Sequence, residues 1–252
     1  MISVPFAAAL ATSVLSTSFI SGVFGMAGGM ILMGLLLTFM PLAPAMALHA
    51  ITQIASNAAR AWLWRQHICW PIVARYAAGA LIASLAIAFG PVTPTKPMAL
   101  IFIGLVSLIG LGLPARWTPN VMDPRQAVGC GTLCTALHLT CGVSGPMLDL
   151  FFVRSDLGTR QIVATKAAIN TGGHLVKLVY FGHALFAGGG TISPVAIVLA
   201  IVAALLGTQL SRILLEAIDD ACFRQWSQRL IAAIAVLSLA QGVVLQFEEL
   251  RR

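Results

Sequence analysis

Apolar stretches follow one another along this chain with little hydrophilic sequence between them, and that succession restricts the fold more than any other feature. Five candidate elements precede Trp117, spanning Ile2 to Phe24, Gly29 to Phe39, Ala45 to Trp64, Ile72 to Phe89 and Pro97 to Leu113. Five follow it, spanning Gln126 to Cys141, Gly145 to Phe152, Arg160 to Phe181, Ser193 to Leu215 and Leu230 to Phe247. About 20 apolar residues cross a bilayer as a helix, and in hydrocarbon each backbone polar group must be satisfied internally. Charged residues make up 9% of the chain, against roughly 25% in soluble domains. The expected fold is therefore an all-α integral membrane protein.

The first segment has no basic residue before it and no small-residue cleavage signature, so it reads as a retained helix and not as a signal peptide. The formal charge is +7, but the 15 Lys and Arg are scattered singly or in pairs between apolar segments. That is the pattern of loops under the positive-inside rule and not of a nucleic-acid stripe, so nucleic acid is not an expected partner. Five cysteines, Cys69, Cys130, Cys134, Cys141 and Cys222, lack paired zinc spacing and do not form a disulfide framework. No cofactor or metal is expected.

A shift of 117 positions lays Gly25, Gly28 and Met30 on Gly142, Gly145 and Met147, and Ala47 and Ala50 on Ala164 and Ala167. The same shift lays Gln53, Asn57 and Arg60 on Asn170, His174 and Lys177. A glycine turn and a polar triplet matching at one offset point to internal duplication, a common organisation in secondary transporters. The expected division is a first repeat over 1–114, a connecting loop over 115–125 and a second repeat over 126–252.

Basic residues indicate how the copies face. The loop Met40 to Pro44 is uncharged while its counterpart carries Arg154 and Arg160; Arg65 and Arg75 face a counterpart, Gly182 to Ile192, with none. Lys96 alone then matches a loop with Arg212, Arg224 and Arg229. Cytoplasmic placement of basic loops puts equivalent loops on opposite sides, so two inverted repeats of about five helical elements are expected. Inversion needs an odd number of crossings per repeat, which a broken or re-entrant hairpin at each glycine turn supplies. Two parallel four-helix units are the alternative.

The turns Gly25 to Gly29 and Gly142 to Pro146 are the first candidate site, through Gly25, Gly28, Gly29, Gly142, Ser144 and Gly145. A half-helix beginning after such a turn directs free amides and its positive dipole end at an anion; equally, glycines let membrane helices approach closely. The triplets Gln53, Asn57, Arg60 and Asn170, His174, Lys177 are the second. At 100° per residue each occupies about 60° of helical arc, a single stripe. An Arg or Lys near the centre of a membrane helix costs about 2.5–3.5 kcal/mol. Asp149 is the one acid within an apolar segment away from an interface and has Leu32 as its counterpart, so an exogenous small anion, held where both turns and both stripes converge on one midplane site, is the expected partner of Arg60 and Lys177 together. Snorkelling to an interface is the competing explanation. His174, which follows Gly172 and Gly173 and lies on the same stripe, is a candidate for proton coupling or a structural histidine. His49 and Lys166 coincide at the same offset and rank second.

Cys130, Cys134 and Cys141 share one face beside His138, which suits either a sulfur-handling site or packing. The sequence contains neither the His-Glu-x-x-His nor the Gly-x-Ser-x-Gly motif, which disfavours an intramembrane enzyme. An anion channel is the nearer rival to a carrier.

The glycine turn after the first segment, the run Gly158 to Asn170 (GTRQIVATKAAIN) and the run Ser56 to Arg65 (SNAARAWLWR) resemble the TauE/SafE family of sulfite and organosulfonate exporters over essentially the whole chain. The resemblance implies a multi-pass carrier in the bacterial inner membrane, in contact with the lipid bilayer, for sulfite, sulfoacetate or a related anion. Homodimerisation is left open. Where many members show Ala-Thr-Ser after the second turn, this chain has Ala164-Thr165-Lys166, and Ala47-Leu48-His49 in the first copy; the added cation or histidine suits either a more highly charged anion or a different subgroup of the family.

Overall fold

The computed structural model describes residues 3–24, 27–90, 95–114, 117–152, 154–188, 191–215 and 220–251. Among them it contains helices and no strand. The helices are α1 (Val4–Phe24), α2 (Ala27–Phe39), α3 (Leu42–Leu63), α4 (Trp70–Phe89) and α5 (Lys96–Gly112), then α6 (Pro124–Thr140), α7 (Gly145–Phe152), α8 (Thr159–Ala187), α9 (Pro194–Leu215) and α10 (Asp220–Leu250), with a short 3₁₀ turn at Arg65–His67. Local chemistry sets several boundaries. The Asp123 carboxylate accepts from the Arg125 and Gln126 amides ahead of α6, with Pro124 in its first turn, and Thr95 accepts from the Met98 amide ahead of α5; both satisfy otherwise orphaned donors. Two helices outrun their apolar stretches. α8 continues six residues past Phe181, and α10 begins ten residues before Leu230. Backbone hydrogen bonding carries a helix on into the interface after apolar side chains are no longer required.

Burial is arranged inside out. The exposed side chains of α4, α9 and α10 include Leu81, Ile82, Leu85 and Phe89, then Val198, Val202, Leu206 and Leu210, then Val236, Leu237 and Phe247. Meanwhile α3 and α8 bury His49, Gln53, Asn57, Arg60, Asn170, His174 and Lys177. A soluble protein places these classes the other way round; an apolar perimeter over a polar interior is what a bilayer requires. Four helices, α1, α4, α9 and α10, have spans long and apolar enough to cross a membrane. α3 is long enough, but its buried polar stripe lowers its mean hydropathy because it faces protein and not lipid. The chain is a membrane protein with α3 and α8 at its centre.

The helices associate in four main pairs, α1 with α9, α3 with α8, α4 with α6 and α5 with α10. Contact registers give directions. Along α1 and α9, Gly207 meets Leu15 and Phe19 while Gly22 meets Ser211, so the two run parallel. In α5 and α10, Gly104 meets Ala235 and Leu239 while Gly242 meets Leu100 and Ile101, which is antiparallel. α3 and α8 are also antiparallel: His49 contacts Lys177, whereas Trp64, just past α3, receives the Arg160 guanidinium from the start of α8, 5.5 Å from the ring centroid. Arg60, Arg65, Arg154 and Arg160 thus gather at one end of the bundle, where Arg154 also donates to the Thr118 carbonyl at 3.4 Å.

Small residues make these approaches possible, as expected where helices associate without a hydrophobic driving force. At Gly131 a Cβ would stand 2.0 Å from the Tyr76 carbonyl oxygen, while at Gly129 on the same helix it would meet nothing within 4 Å. Gly131→Ala should therefore force α4 and α6 apart and lower the melting temperature of the detergent-solubilised protein by several degrees. Gly129→Ala should leave it level or raise it, since alanine favours helix by up to about 1 kcal/mol. Equal melting temperatures for the two variants would contradict this packing.

Candidate functional site

The buried face of α3 carries His49, Gln53, Asn57 and Arg60, and the facing stripe of α8 carries Lys166, Asn170, His174 and Lys177. Because the helices are antiparallel, the two stripes run past each other in opposite order. Between them lies a small cavity walled by Ser21, Gly29, Met30, His49, Gln53, Asn57, His138, Val143, Ser144, Gly145, Asn170 and His174. It offers ≈ 20 Å³ to the centre of a water molecule, and one water needs about 10–15 Å³ on that measure. As it stands it takes one or two waters.

Of the residues expected from sequence, Gln53, Asn57, Asn170, His174, Gly29, Ser144 and Gly145 come together in these walls. Asn57 donates from Nδ2 to the Gln53 carbonyl at 2.9 Å and to Gln53 Oε1 at 3.1 Å, which fixes the Gln53 amide. The cavity also touches the glycine turns: α2 begins at Ala27 and α7 at Gly145, so the first turn of each helix reaches the polar interior. Gly25 lies outside the described residues. Gly28 serves packing, since a Cβ there would stand 1.8 Å from the Thr17 carbonyl oxygen. Gly142 has φ +82°, a backbone region open to glycine, and it turns the chain from α6 towards α7.

Arg60 and Lys177 are not in the walls and do not meet. Lys177 is completely buried, which rules out snorkelling. Its Nζ donates to His49 Nδ1 and to the Gly142 carbonyl, both at 2.8 Å, and lies 3.7 Å from Met33 Sδ. Arg60 stands eleven residues along α3 from His49, or about 16 Å at 1.5 Å per residue. It is 8% exposed, and its Nη2 has no hydrogen-bond partner. The cations therefore stand beyond opposite ends of the cavity and do not share a point within it.

Lys166 pairs with Asp149, linking α8 to α7 near the Arg60 end. Lys166 is thus no loop-facing side chain, and the one intramembrane acid is committed to it. Cys130 and Cys134 lie 3.9 Å apart through their sulfurs, and the Cys141 thiol donates to the Leu137 and Val143 carbonyls at 3.0 and 3.1 Å. Among the described residues no group of three His, Cys, Asp or Glu side chains is placed to hold a metal. Cys222 is outside the described side chains.

Sequence reasoning gave His49 second rank and left His138 and Ser21 out of the site. The His174 ring lies between those of His138 and His49, with centroids 4.6 and 5.4 Å away, and Ser144 Oγ is 3.2 Å from His138 Nε2. Gly173 makes room for His138, since a Cβ there would stand 2.8 Å from that ring. A usable signal was present: the 117-residue shift lays Ser21 on His138, and both are cavity walls.

The Asp149–Lys166 pair is testable by itself. Lys166→Met should lower stability by about 1–3 kcal/mol, because it leaves a partly buried carboxylate without its partner. Adding Asp149→Asn should restore part of the loss, read as the coupling in a double-mutant thermal-stability cycle. Strictly additive losses would show that the pair is not formed.

A protein-family model described as sulfite exporter TauE/SafE matches residues 9–240, nearly the whole chain. No curated protein matches the chain, and no solved structure does.

Proposed function

We propose, on the premise that this chain belongs to the sulfite exporter TauE/SafE family of membrane transporters, that it carries sulfite, sulfoacetate or a related organosulfonate by alternating access. Its setting is the bacterial inner membrane, which it crosses several times. The observation that carries this reading is the polar cavity between α3 and α8, enclosed in an apolar perimeter and bracketed by two cations that have no carboxylate partner among the described residues. The amides of Gln53, Asn57 and Asn170, the His174 imidazole, Ser144 and the backbone at Gly29 and Gly145 contact the anion. Arg60 and Lys177 act on it from either end, and Gly28 and Gly142 shape the turns. Both turns stand where helix N-termini favour negative charge.

We further propose that the chain is two inverted repeats, 1–114 and 126–252. Exchanging the halves turns the α1–α9 pair into the α6–α4 pair and leaves the α3–α8 and α5–α10 pairs unchanged, all of which are observed. Equivalent helices packed antiparallel support an axis in the membrane plane, because an axis along the membrane normal would make them parallel. The helical hairpins α1–α2 and α6–α7 then enter from opposite faces, and the arginine-rich end is cytoplasmic. Rocking of one repeat against the other exposes the cavity alternately. In the conformation observed, bonding of Lys177 to His49 and Gly142 closes the end away from the arginines. Outward movement of one negative charge from an inside-negative cell gains about 2.3 kcal/mol per 100 mV.

Uptake of sulfite, sulfoacetate, thiosulfate and sulfate into proteoliposomes tests this. We expect saturable transport with counterflow for at least one organosulfonate or sulfite. Asn57→Leu and Asn170→Leu should each reduce it at least tenfold, and Arg60→Ala and Lys177→Ala should reduce it as well. Absence of transport of all four anions would overturn the reading, and large single-channel currents would replace the carrier with a channel.

A further inference from the structure

Lys177 and His49 form part of a continuous chain of bonds between the two glycine turns. His49 Nε2 lies 2.8 Å from the Gly29 carbonyl oxygen; a carbonyl only accepts, so Nε2 carries the ring hydrogen. Nδ1 is then the lone-pair nitrogen, and it accepts from Lys177 Nζ at 2.8 Å. Lys177 donates again to the Gly142 carbonyl at 2.8 Å. Gly29 belongs to the first turn of α2 and Gly142 to the turn before α7, so the chain fastens one hairpin to the other. Both side chains are completely buried, and the fastening depends on one lone pair.

A proton on that lone pair would meet one cation and otherwise neutral groups. α8 contributes Lys177 and His174; the end of α6 and the turn after it contribute His138 and Cys141. α2 has no titratable side chain, and the one cation of α9, Arg212, stands in its last turn. Among the described residues no carboxylate reaches this level, since Asp149 is held by Lys166, eleven residues from Lys177. The His174 Nδ1, buried without a hydrogen-bond partner, adjoins His49 from the cavity side and can receive a proton there first.

We propose that His49 and Lys177 are a proton-operated latch, and that one proton moves with each anion. This rests on the transporter reading above and specifies its coupling ion. A proton taken up from the aqueous side passes through cavity water and His174, each of which ends with the protons it began with, and binds His49 Nδ1 through the lone pair there. The Lys177–His49 hydrogen bond breaks, and nothing is oxidised or reduced. Two adjacent cations then repel, Gly29 separates from Gly142, and an anion in the widened cavity offsets the added charge. His174 relays the proton and His49 holds it, so the proton-coupling role expected of His174 is shared between them.

Two measurements test the latch. In the first, the unaltered protein is reconstituted with pyranine in the lumen and the potential clamped by potassium and valinomycin. An inward sulfoacetate gradient is then imposed; its carboxylate titrates near pH 4, far from neutrality. The lumen should acidify by about one proton per anion, and uptake without acidification would overturn the proposal. In the second, Cys141 is the sole cysteine, the other four being replaced by alanine, and its alkylation rate is compared with and without His49→Gln. Glutamine can donate to Gly29 and accept from Lys177 but does not titrate. The ratio of rates, native His49 over His49→Gln, should rise at least fivefold from pH 8 to pH 6, with thiol chemistry cancelling. A flat ratio would overturn the latch. If none of the tested anions is transported, the transporter reading fails by itself, while the labelling ratio still judges the latch.

Discussion

A polar side chain turned towards hydrocarbon has nothing to bond, so a chain that must keep amides, imidazoles and cations within a membrane has to face them towards one another. That constraint decides the arrangement seen here. α3 and α8 carry the polar stripes and are drawn to the centre, and the helices that surround them present leucine, isoleucine, valine and phenylalanine outward. Helix association then depends on close backbone approach at small residues such as Gly22, Gly79, Gly131 and Gly207, because lipid supplies no hydrophobic drive between helices.

The same constraint separates the cations. Among the described residues, Lys166 has Asp149, Lys177 donates to the neutral His49 and Gly142, and the Arg60 Nη2 has no hydrogen-bond partner. With no carboxylate among the described residues at either cation, positive charge at each end of the cavity suits a mobile anion between them. The antiparallel packing of α3 against α8 turns two similar stripes into a column with a cation beyond each end, a geometry that suits the carrier proposed above.

Much of this was legible in the residues. Apolar segment lengths marked the helices to within a few residues for most elements, and the 117-residue shift picked out Gln53, Asn57, Asn170 and His174, which do line one cavity. Helix ends at the interface were less legible, because α8 and α10 persist through polar sequence where hydropathy no longer reports them. The separation of Arg60 from Lys177 was missed for a different reason. A stripe shows which face a residue occupies but not its height against a neighbouring helix, and antiparallel packing sends residues that match in sequence to opposite ends. His49 was undervalued because its role exists only once Lys177 and Gly29 are brought to it. Partners drawn from other helices, such as His138 beside Gly173, leave no local periodicity to read.

An anion bound between α3 and α8 can be located directly by anomalous diffraction with selenite, the heavier analogue of sulfite. A selenium peak is expected within hydrogen-bonding reach of Gln53, Asn57, Asn170 or His174, at a position where sulfite competes it away. A peak confined to the arginine-rich end of the bundle, with nothing between α3 and α8, would contradict that expectation.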